Sequence, residues 1–268
     1  MKKRDYPIID AHAHIFPDKI AEKSRQFVSE YYDLPMYTKG TISELLAVRK
    51  RTSIAKQLIC SPACTASQTK SINNFISDTC KTYDDLIGYG TLHKDNEDYV
   101  EEISRIKELG LKGIKFHSDF QKFDIDDTAM LPIYKEIARQ KLPVLLHMGD
   151  PKSTYSLPEK LKNLLRQVPD LVITAGHMGG YTHWEEAYLL PAVPNLYFDC
   201  SSTLAFIKSD YMLRMIERFG VSQFFFGTDF PMWQPEEEIE RLEALELGEE
   251  IEKAILHDNF EQFLSLVE

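Results

Sequence analysis

The chain has 268 residues, of which 43% are hydrophobic and 27% are charged, the balance of an ordinary globular protein. Its formal net charge of −11 argues against nucleic acid or an anionic membrane surface as a partner. Every apolar run is shorter than the roughly 18 residues that cross a bilayer, and the basic start lacks the apolar segment of a secretory signal. Four cysteines without a Cys-x-x-Cys spacing indicate reduced thiols, so we expect a cytoplasmic protein.

Short apolar or β-branched runs recur along the whole chain, with stretches of helical spacing between them. Eight runs have the length and composition of strands: 7–11, 54–60, 86–92, 112–117, 143–148, 171–177, 195–200 and 223–229. Among the stretches between them, 99–109 is typical, because Val100, Ile103, Ile106 and Leu109 form one apolar stripe.

Strands that are apolar on both faces and alternate with helices indicate a parallel sheet covered by helices. Eight such units in about 250 residues predict a (β/α)8 TIM barrel, and we expect one domain over residues 1–268. The main alternative, an open doubly wound sheet, is disfavoured because no Gly-x-Gly-x-x-Gly turn follows the first strand.

Two histidines, His12 and His14, stand two residues apart at the end of the first predicted strand. Residues at i and i+2 of a strand share a face, so the two imidazoles project side by side. Two neutral imidazoles suit a divalent transition metal, above all zinc. Asp10 has the same parity, and we expect it either to orient a ligand imidazole or to serve as a buried, hydrogen-bonded barrel carboxylate.

Further polar residues stand at the carboxyl ends of later predicted strands, where TIM barrels carry their chemistry. Lys115 and His117 end the fourth strand, His147 the fifth, His177 the sixth and Asp229 the eighth. A single buried histidine is usually a core residue. Five histidines and an aspartate at one rim instead predict a metal-dependent active site.

These motifs resemble the amidohydrolase superfamily, and within it the branch of aminocarboxymuconate-semialdehyde decarboxylase-like proteins and metal-dependent hydrolases. The resemblance rests on Asp-x-His-x-His at 10–14, Gly-Ile-Lys-x-His at 113–117, the lone His147, Gly-His-x-Gly-Gly at 176–180 and Gly-Thr-Asp-x-Pro at 227–231. It extends from about Ile8 to the last helix. The motifs are specific for the superfamily and say little about the substrate.

The resemblance implies one divalent ion, with zinc as the expected metal, held by His12, His14, His147 and Asp229. Asp229 and His177 are then the expected catalytic residues, Asp229 as the proton shuttle and His177 beside the reacting bond. In binuclear relatives a carbamylated lysine bridges two metals on the fourth strand. Two ions therefore remain an alternative if Lys115 is carbamylated.

Substrate contacts are expected from the loops at the rim, because such loops carry recognition in this fold. The candidate substrate-binding residues are His117, Lys115, Lys152 and Trp233. The long segment 16–40 is expected either to cap the barrel mouth or to pack as a helix on the outer wall. The expected partner is a small-molecule substrate, and the sequence leaves open whether the chain forms a homo-oligomer.

The residues favour a metal-dependent hydrolase that acts on an amide, lactone or ester-like bond of a small polar molecule. The alternative is a non-oxidative decarboxylase or hydratase of a small carboxylic acid. Decarboxylation needs a cation for the leaving carboxylate, for which Lys152 and His117 are candidates. No arginine stands at the carboxyl end of a strand, since Arg49 and Arg51 precede the second strand at the opposite rim, and this favours hydrolysis. A non-catalytic metal-binding protein is disfavoured by the completeness of the ligand set.

Overall fold

Eight parallel strands follow one another around a barrel in chain order in the computed structural model, which describes residues 4–267. The strands are β1 (Ile8–His14), β2 (Ile54–Cys60), β3 (Leu86–Thr91), β4 (Gly113–Phe116), β5 (Val144–Leu146), β6 (Ile173–Ala175), β7 (Leu196–Asp199) and β8 (Phe224–Phe225). The predicted TIM barrel is thus confirmed. Met1 to Lys3 and Glu268, the two ends of the predicted domain, lie outside the described residues.

Closure of the barrel depends on backbone hydrogen bonds between its last and first strands. The Ala11 N–H donates to the carbonyl of Phe226 at 2.8 Å, and the Asp229 N–H donates to the carbonyl of His12, also at 2.8 Å. The second bond holds Asp229 against the strand that carries both histidines of the His12-x-His14 pair. The hydrogen bond between Asp229 and His12 therefore both closes the barrel and brings the candidate site residues together.

Helices separate successive strands and cover the outside of the barrel. They are α1 (Asp18–Tyr32), α2 (Ile42–Arg49), α3 (Thr69–Thr82), α4 (Tyr99–Glu108), α5 (Ser118–Gln121), α6 (Leu131–Arg139), α7 (Pro158–Gln167), α8 (Trp184–Ala187), α9 (Ser209–Phe219), α10 (Pro235–Glu243), α11 (Glu249–Lys253) and α12 (Asn259–Val267). The apolar stripe predicted for α4 is confirmed in part: Ile103 and Ile106 are fully buried and Leu109 packs against the core, but Val100 is 40% exposed. None of the helices in this range combines the length and the apolar sequence needed to cross a membrane.

Strand boundaries differ most from the sequence prediction at β1 and β8. β1 continues to His14 rather than ending near Ala11, because its pairing with β2 extends through Ala13–Ile59 and His14–Cys60. β8 has only two residues, although the apolar run is longer. The left-handed backbone of Asp229, with φ of 53°, interrupts the regular strand, although Asp229 and Phe230 still form backbone hydrogen bonds with β1.

Asp10 is a fully buried carboxylate that fastens β1 to both neighbouring strands. Its Oδ1 accepts from the backbone N–H groups of His12 (3.1 Å) and Thr228 (2.9 Å). Its Oδ2 accepts from Gln57 Nε2 (3.0 Å) and Thr228 Oγ1 (2.7 Å). Burial raises the pKa of Asp10 to about 6 despite these donors. The second of the two predicted roles is therefore the one observed, since Asp10 holds backbone and side chains of the barrel and does not contact an imidazole.

Replacement of Asp10 by Ala is expected to destabilise the fold by about 3 kcal/mol, because four buried donors lose their acceptor. Asp10→Asn is expected to cost only about 1 kcal/mol. The Oε1 atom of Gln57 has no hydrogen-bond partner within the described chain, so a rotated Gln57 amide can accept from the side-chain amide that this substitution introduces. The urea midpoint, followed by far-ultraviolet circular dichroism, measures both changes.

Asp78→Ala is the matched control, because that aspartate is 75% exposed on α3. It should shift the midpoint by less than about 0.5 kcal/mol. An Asp10→Ala protein as stable as this control would show that the Asp10 clamp contributes nothing to the barrel.

Candidate metal centre

Three donor atoms from β1 and the segment after β8 converge at the floor of the barrel mouth. His12 Nε2 and His14 Nε2 are 3.2 Å apart. Asp229 Oδ1 lies 3.3 Å from His14 Nε2 and 3.7 Å from His12 Nε2. Metal–ligand bonds of about 2.0–2.2 Å place neighbouring ligand atoms roughly 3.0–3.6 Å apart, so both the spacing and the chemistry of this donor set fit a divalent cation.

Asp199 determines which way His12 faces. Its Oδ2 lies 3.0 Å from His12 Nδ1, and both side chains are fully inaccessible to solvent. Burial opposes ionisation of Asp199, but its contacts with His12 outweigh this effect and lower its pKa to about 2. The carboxylate therefore accepts the Nδ1 proton of His12, so the lone pair on Nε2 is the one available to a cation, the arrangement that usually orients metal-binding histidines.

Sequence reasoning missed Asp199, although a signal was present. It is the last residue of β7, and an acid at the carboxyl end of a barrel strand is a site candidate. Ser201 was missed as well, and its hydroxyl lies 3.0 Å from both His12 Nδ1 and His177 Nδ1.

Lys115 lies next to Nε2 of His12, the atom that faces the donor set. Its Nζ lies 2.9 Å from His12 Nε2, and the side chain is fully buried. Burial lowers the pKa of the Lys115 amine, and burial together with Lys115 lowers the pKa of His12 to about 4. The structure therefore places Lys115 next to the donor set. The sequence also predicted a substrate contact for Lys115, but Lys115 does not line the cavity.

His147 and His177 form a second pair beside the donor set. His177 Nε2 lies 2.9 Å from His147 Nδ1, and the ring of His177 stacks on that of His12 with centroids 5.2 Å apart. His147 Nε2 lies 2.9 Å from the carbonyl oxygen of Gly149. The structure brings His177 against the predicted ligands, while His147 stands one imidazole further away and outside the cluster of His12, His14 and Asp229.

Asp229 is held by a short relay that includes two residues from the loops at the rim. Trp233 Nε1 donates to Ser202 Oγ at 2.8 Å, and Ser202 Oγ donates to Asp229 Oδ2 at 2.6 Å. Burial would raise the pKa of Asp229, but His14, His12 and His177 outweigh it and keep the pKa well below the ordinary value. Asp229 is thus a carboxylate whose two oxygens face different partners. Ser202 was not found from the sequence.

Backbone strain is concentrated at this rim. His177, Ser202 and Asp229 all have left-handed backbone conformations, with φ of 57°, 51° and 53°. Each such residue costs roughly 1–2 kcal/mol when it is not glycine. Strained residues persist where the surrounding contacts impose them, commonly at functional sites.

An open cavity of about 700 Å³ lies above the donor atoms. Three rings in its wall are nearly parallel: His117 stacks on Phe120 (centroids 3.7 Å apart, 5° between planes) and on His147 (3.8 Å, 10°). Burial lowers the pKa of His117 and of His147 well below the ordinary value, so both rings are neutral. His14, His177, Asp229 and Trp233 also line the cavity.

Segment 16–40 supplies one side of the cavity through α1. Tyr32, at the end of α1, places its hydroxyl 3.3 Å from both His117 Nε2 and His147 Nε2. Of the two predicted arrangements for this segment, a cap over the barrel mouth and a helix on the outer wall, the structure therefore has the cap. Lys152 contacts this helix from outside, at the backbone carbonyl of Tyr31, and does not line the cavity.

Solved structures of similar fold include several decarboxylases. One is 5-carboxyvanillate decarboxylase from Sphingomonas paucimobilis (TM-score 0.77, 15% identity, 97% of this chain and 99% of that chain covered). Another is 5-carboxyvanillate decarboxylase from Novosphingobium aromaticivorans, solved with manganese and 4-hydroxy-3-methoxy-5-nitrobenzoic acid (TM-score 0.76, 18% identity, 97% and 96% covered).

A candidate 2-pyrone-4,6-dicarboxylic acid hydrolase from Pseudomonas putida is also similar (TM-score 0.70, 19% identity, 97% of each chain covered). At these identities the likeness establishes the fold alone. No curated protein matches the chain. The family model described as "Amidohydrolase" matches residues 9–266. The chain therefore belongs to the amidohydrolase family, as its motifs at the strand ends implied.

Proposed function

We propose that this protein is a metal-dependent, non-oxidative decarboxylase of small aromatic carboxylic acids. The observation that carries the proposal is the position of three converging cation ligands beneath a cavity walled by three parallel rings. A cation held by these ligands would attract an acidic oxygen substituent of the substrate, and the stacked rings suit a flat, unsaturated body. Fold neighbours that act on carboxylated aromatic rings add support.

One divalent ion is the proposed cofactor, held by His12, His14 and Asp229, with His147 as a fourth ligand if its ring leaves the Gly149 carbonyl. The ion, when bound, supplies a positive charge that polarises oxygen atoms of the substrate. Imidazole and carboxylate ligands accept manganese as well as zinc, and fold neighbours were solved with manganese. Lys115 is proposed to remain an uncarbamylated amine.

Asp229 is the proposed proton shuttle. Its carboxylate takes the proton of a ring hydroxyl of the substrate. As the bond between the ring carbon and the carboxylate carbon breaks, the electron pair stays on the ring carbon, CO2 leaves, and that carbon receives the proton from Asp229. The product oxygen then takes a proton from solvent. His177, which lies between His12 and His147, is proposed to hydrogen-bond the reacting group.

Recognition of the ring is assigned to His117 and Trp233, the two predicted contacts that line the cavity. Lys115 and Lys152 are left out of the proposed contacts because neither lines it. Tyr32 and the aromatic side chains beside it exclude water from the ring. The negative charge of the reacting carboxylate is expected to be balanced by the divalent cation that the donor set would hold, not by an arginine.

Hydrolysis remains the second candidate, favoured by one observation. Asp229 is an ionised carboxylate poised at the cavity, so it can also accept a proton from water and pass it to a leaving group. The sequence argument for hydrolysis, the absence of a suitable arginine, loses its weight because a divalent cation held by the donor set would itself supply a positive charge next to the carboxylate. An unsaturated ring lactone with carboxylate groups is the substrate class for this reading.

Protein loaded with manganese is expected to release one CO2 for each molecule of 5-carboxyvanillate or 2,6-dihydroxybenzoate consumed. Chelation should abolish turnover and added manganese should restore it, because the donor set needs its cation. Proton NMR of the ring together with a coupled bicarbonate assay measures both. The His14→Ala protein, which lacks one donor, is the matched inactive control.

Ring opening of 2-pyrone-4,6-dicarboxylate without CO2 release would favour the second candidate over the first. Turnover of none of the three compounds by fully loaded protein would contradict both.

Asp229→Asn is expected to lower kcat at least about a hundredfold while part of the metal remains bound, because the oxygen ligand survives and the base does not. Ser202→Ala should lower kcat about tenfold, since Asp229 loses one charge-assisted hydrogen bond. His177→Asn should lower kcat with metal content nearly unchanged. Metal content and kcat are measured on the same preparations.

Asp210→Asn, an exposed acid in the first turn of α9, controls for the change of charge and should match the native protein. Undiminished turnover in fully loaded Asp229→Asn protein would remove Asp229 from the mechanism.

A further inference from the structure

The cavity has two parts with different walls. Its inner half lies over the strand ends and is lined by the ionisable residues of the metal centre. Its outer half lies between α1 and the segment that runs from β2 into α3. Ile20 and Phe27 of α1 line one side, and Ile72 and Phe75 of α3 line the other. The proposed chemistry uses only the inner half.

The size of the whole cavity exceeds what a single-ring acid fills. Its volume of about 700 Å³ lies within the range of roughly 300–1,000 Å³ that is typical of pockets for larger organic ligands. A benzoate over the donor set occupies only a fraction of that space. The apolar side chains of the outer half would then stay in contact with water, which is unfavourable unless a ligand covers them.

Two lysines line the outer half without ion-pair partners among residues 4–267. Lys19 and Lys23 are one helical turn apart on α1, where like charges repel each other. Glu22, the acid that lies between the two lysines on the helix, is engaged by Arg25 at 2.6 Å and by Lys39 at 3.5 Å. In a chain of net charge −11, two unpaired cations beside an apolar channel favour an anionic ligand.

We propose that the outer half is a second subsite, and that the substrate is an elongated diacid. One carboxylate and its ring occupy the inner half, an apolar extension lies between α1 and α3, and a second carboxylate contacts Lys19 and Lys23. The inference rests on the proposed function for the position of the first carboxylate. It narrows the preferred substrate to aromatic acids with an apolar arm that ends in an anion, while single-ring acids fill the inner half alone and bind more weakly.

Three probes separate the contributions to binding: benzoate, 4-hexylbenzoate and 4-(5-carboxypentyl)benzoate. Calorimetry on manganese-loaded protein is expected to give a Kd at least about tenfold lower for 4-hexylbenzoate than for benzoate, because several methylenes are buried. The diacid should bind about fivefold more tightly than 4-hexylbenzoate through the two lysines.

The double variant Lys19→Gln/Lys23→Gln should lose the preference for the diacid and keep the affinity for 4-hexylbenzoate. The control is Lys135→Gln/Lys162→Gln, which makes the same change of net charge at exposed positions on α6 and α7 and should behave as the native protein.

Equal affinity for benzoate and both extended acids would overturn the subsite, as would a preference for the diacid that survives removal of both lysines. Binding is measured apart from CO2 release. Failure of the proposed decarboxylation therefore appears as absent turnover with the binding preferences intact, and failure of the subsite appears as lost preferences.

Discussion

The convergence of His12 Nε2, His14 Nε2 and Asp229 Oδ1 within 3.2–3.7 Å is the constraint on which the site depends. Nitrogen lone pairs and a carboxylate oxygen at such distances repel one another unless a proton or a cation lies between them. The surrounding protein enforces the arrangement. Asp199 fixes the ring of His12, the Ser202 relay fixes Asp229, and the backbone bond from Asp229 to His12 ties the two strands together.

The barrel fold imposes this arrangement because its first and last strands are neighbours at the site. β1 carries both histidines, and the residues after β8 carry the carboxylate, so closing the barrel assembles the donor set. Asp10 fastens the same strands one layer lower, at full burial. The residues at the rim keep their left-handed backbone conformations because these contacts hold them in place. Stability and function are thus linked through the β8–β1 junction.

The repeating apolar runs were sufficient to predict eight strands and the rim on which the site lies, because burial on both faces leaves a clear pattern in the sequence. The pairing of His12 with His14 followed from strand parity. The partners Asp199 and Ser202 were missed, since their role depends on which residues meet across the barrel. Lys19 and Lys23 look like a solvated helix face in the sequence, and only the packing of α1 over the mouth brings them to the cavity. The distance of His147 from the donors likewise follows from side-chain orientation, which motif spacing does not encode.

The most direct test of the central claim is a crystal structure of manganese-loaded protein with anomalous diffraction data. The account predicts one anomalous peak per chain, within about 2.0–2.3 Å of His12 Nε2, His14 Nε2 and Asp229 Oδ1, with no carbamate on Lys115. A peak that contacts none of these three atoms, or two peaks bridged by a modified Lys115, would contradict it.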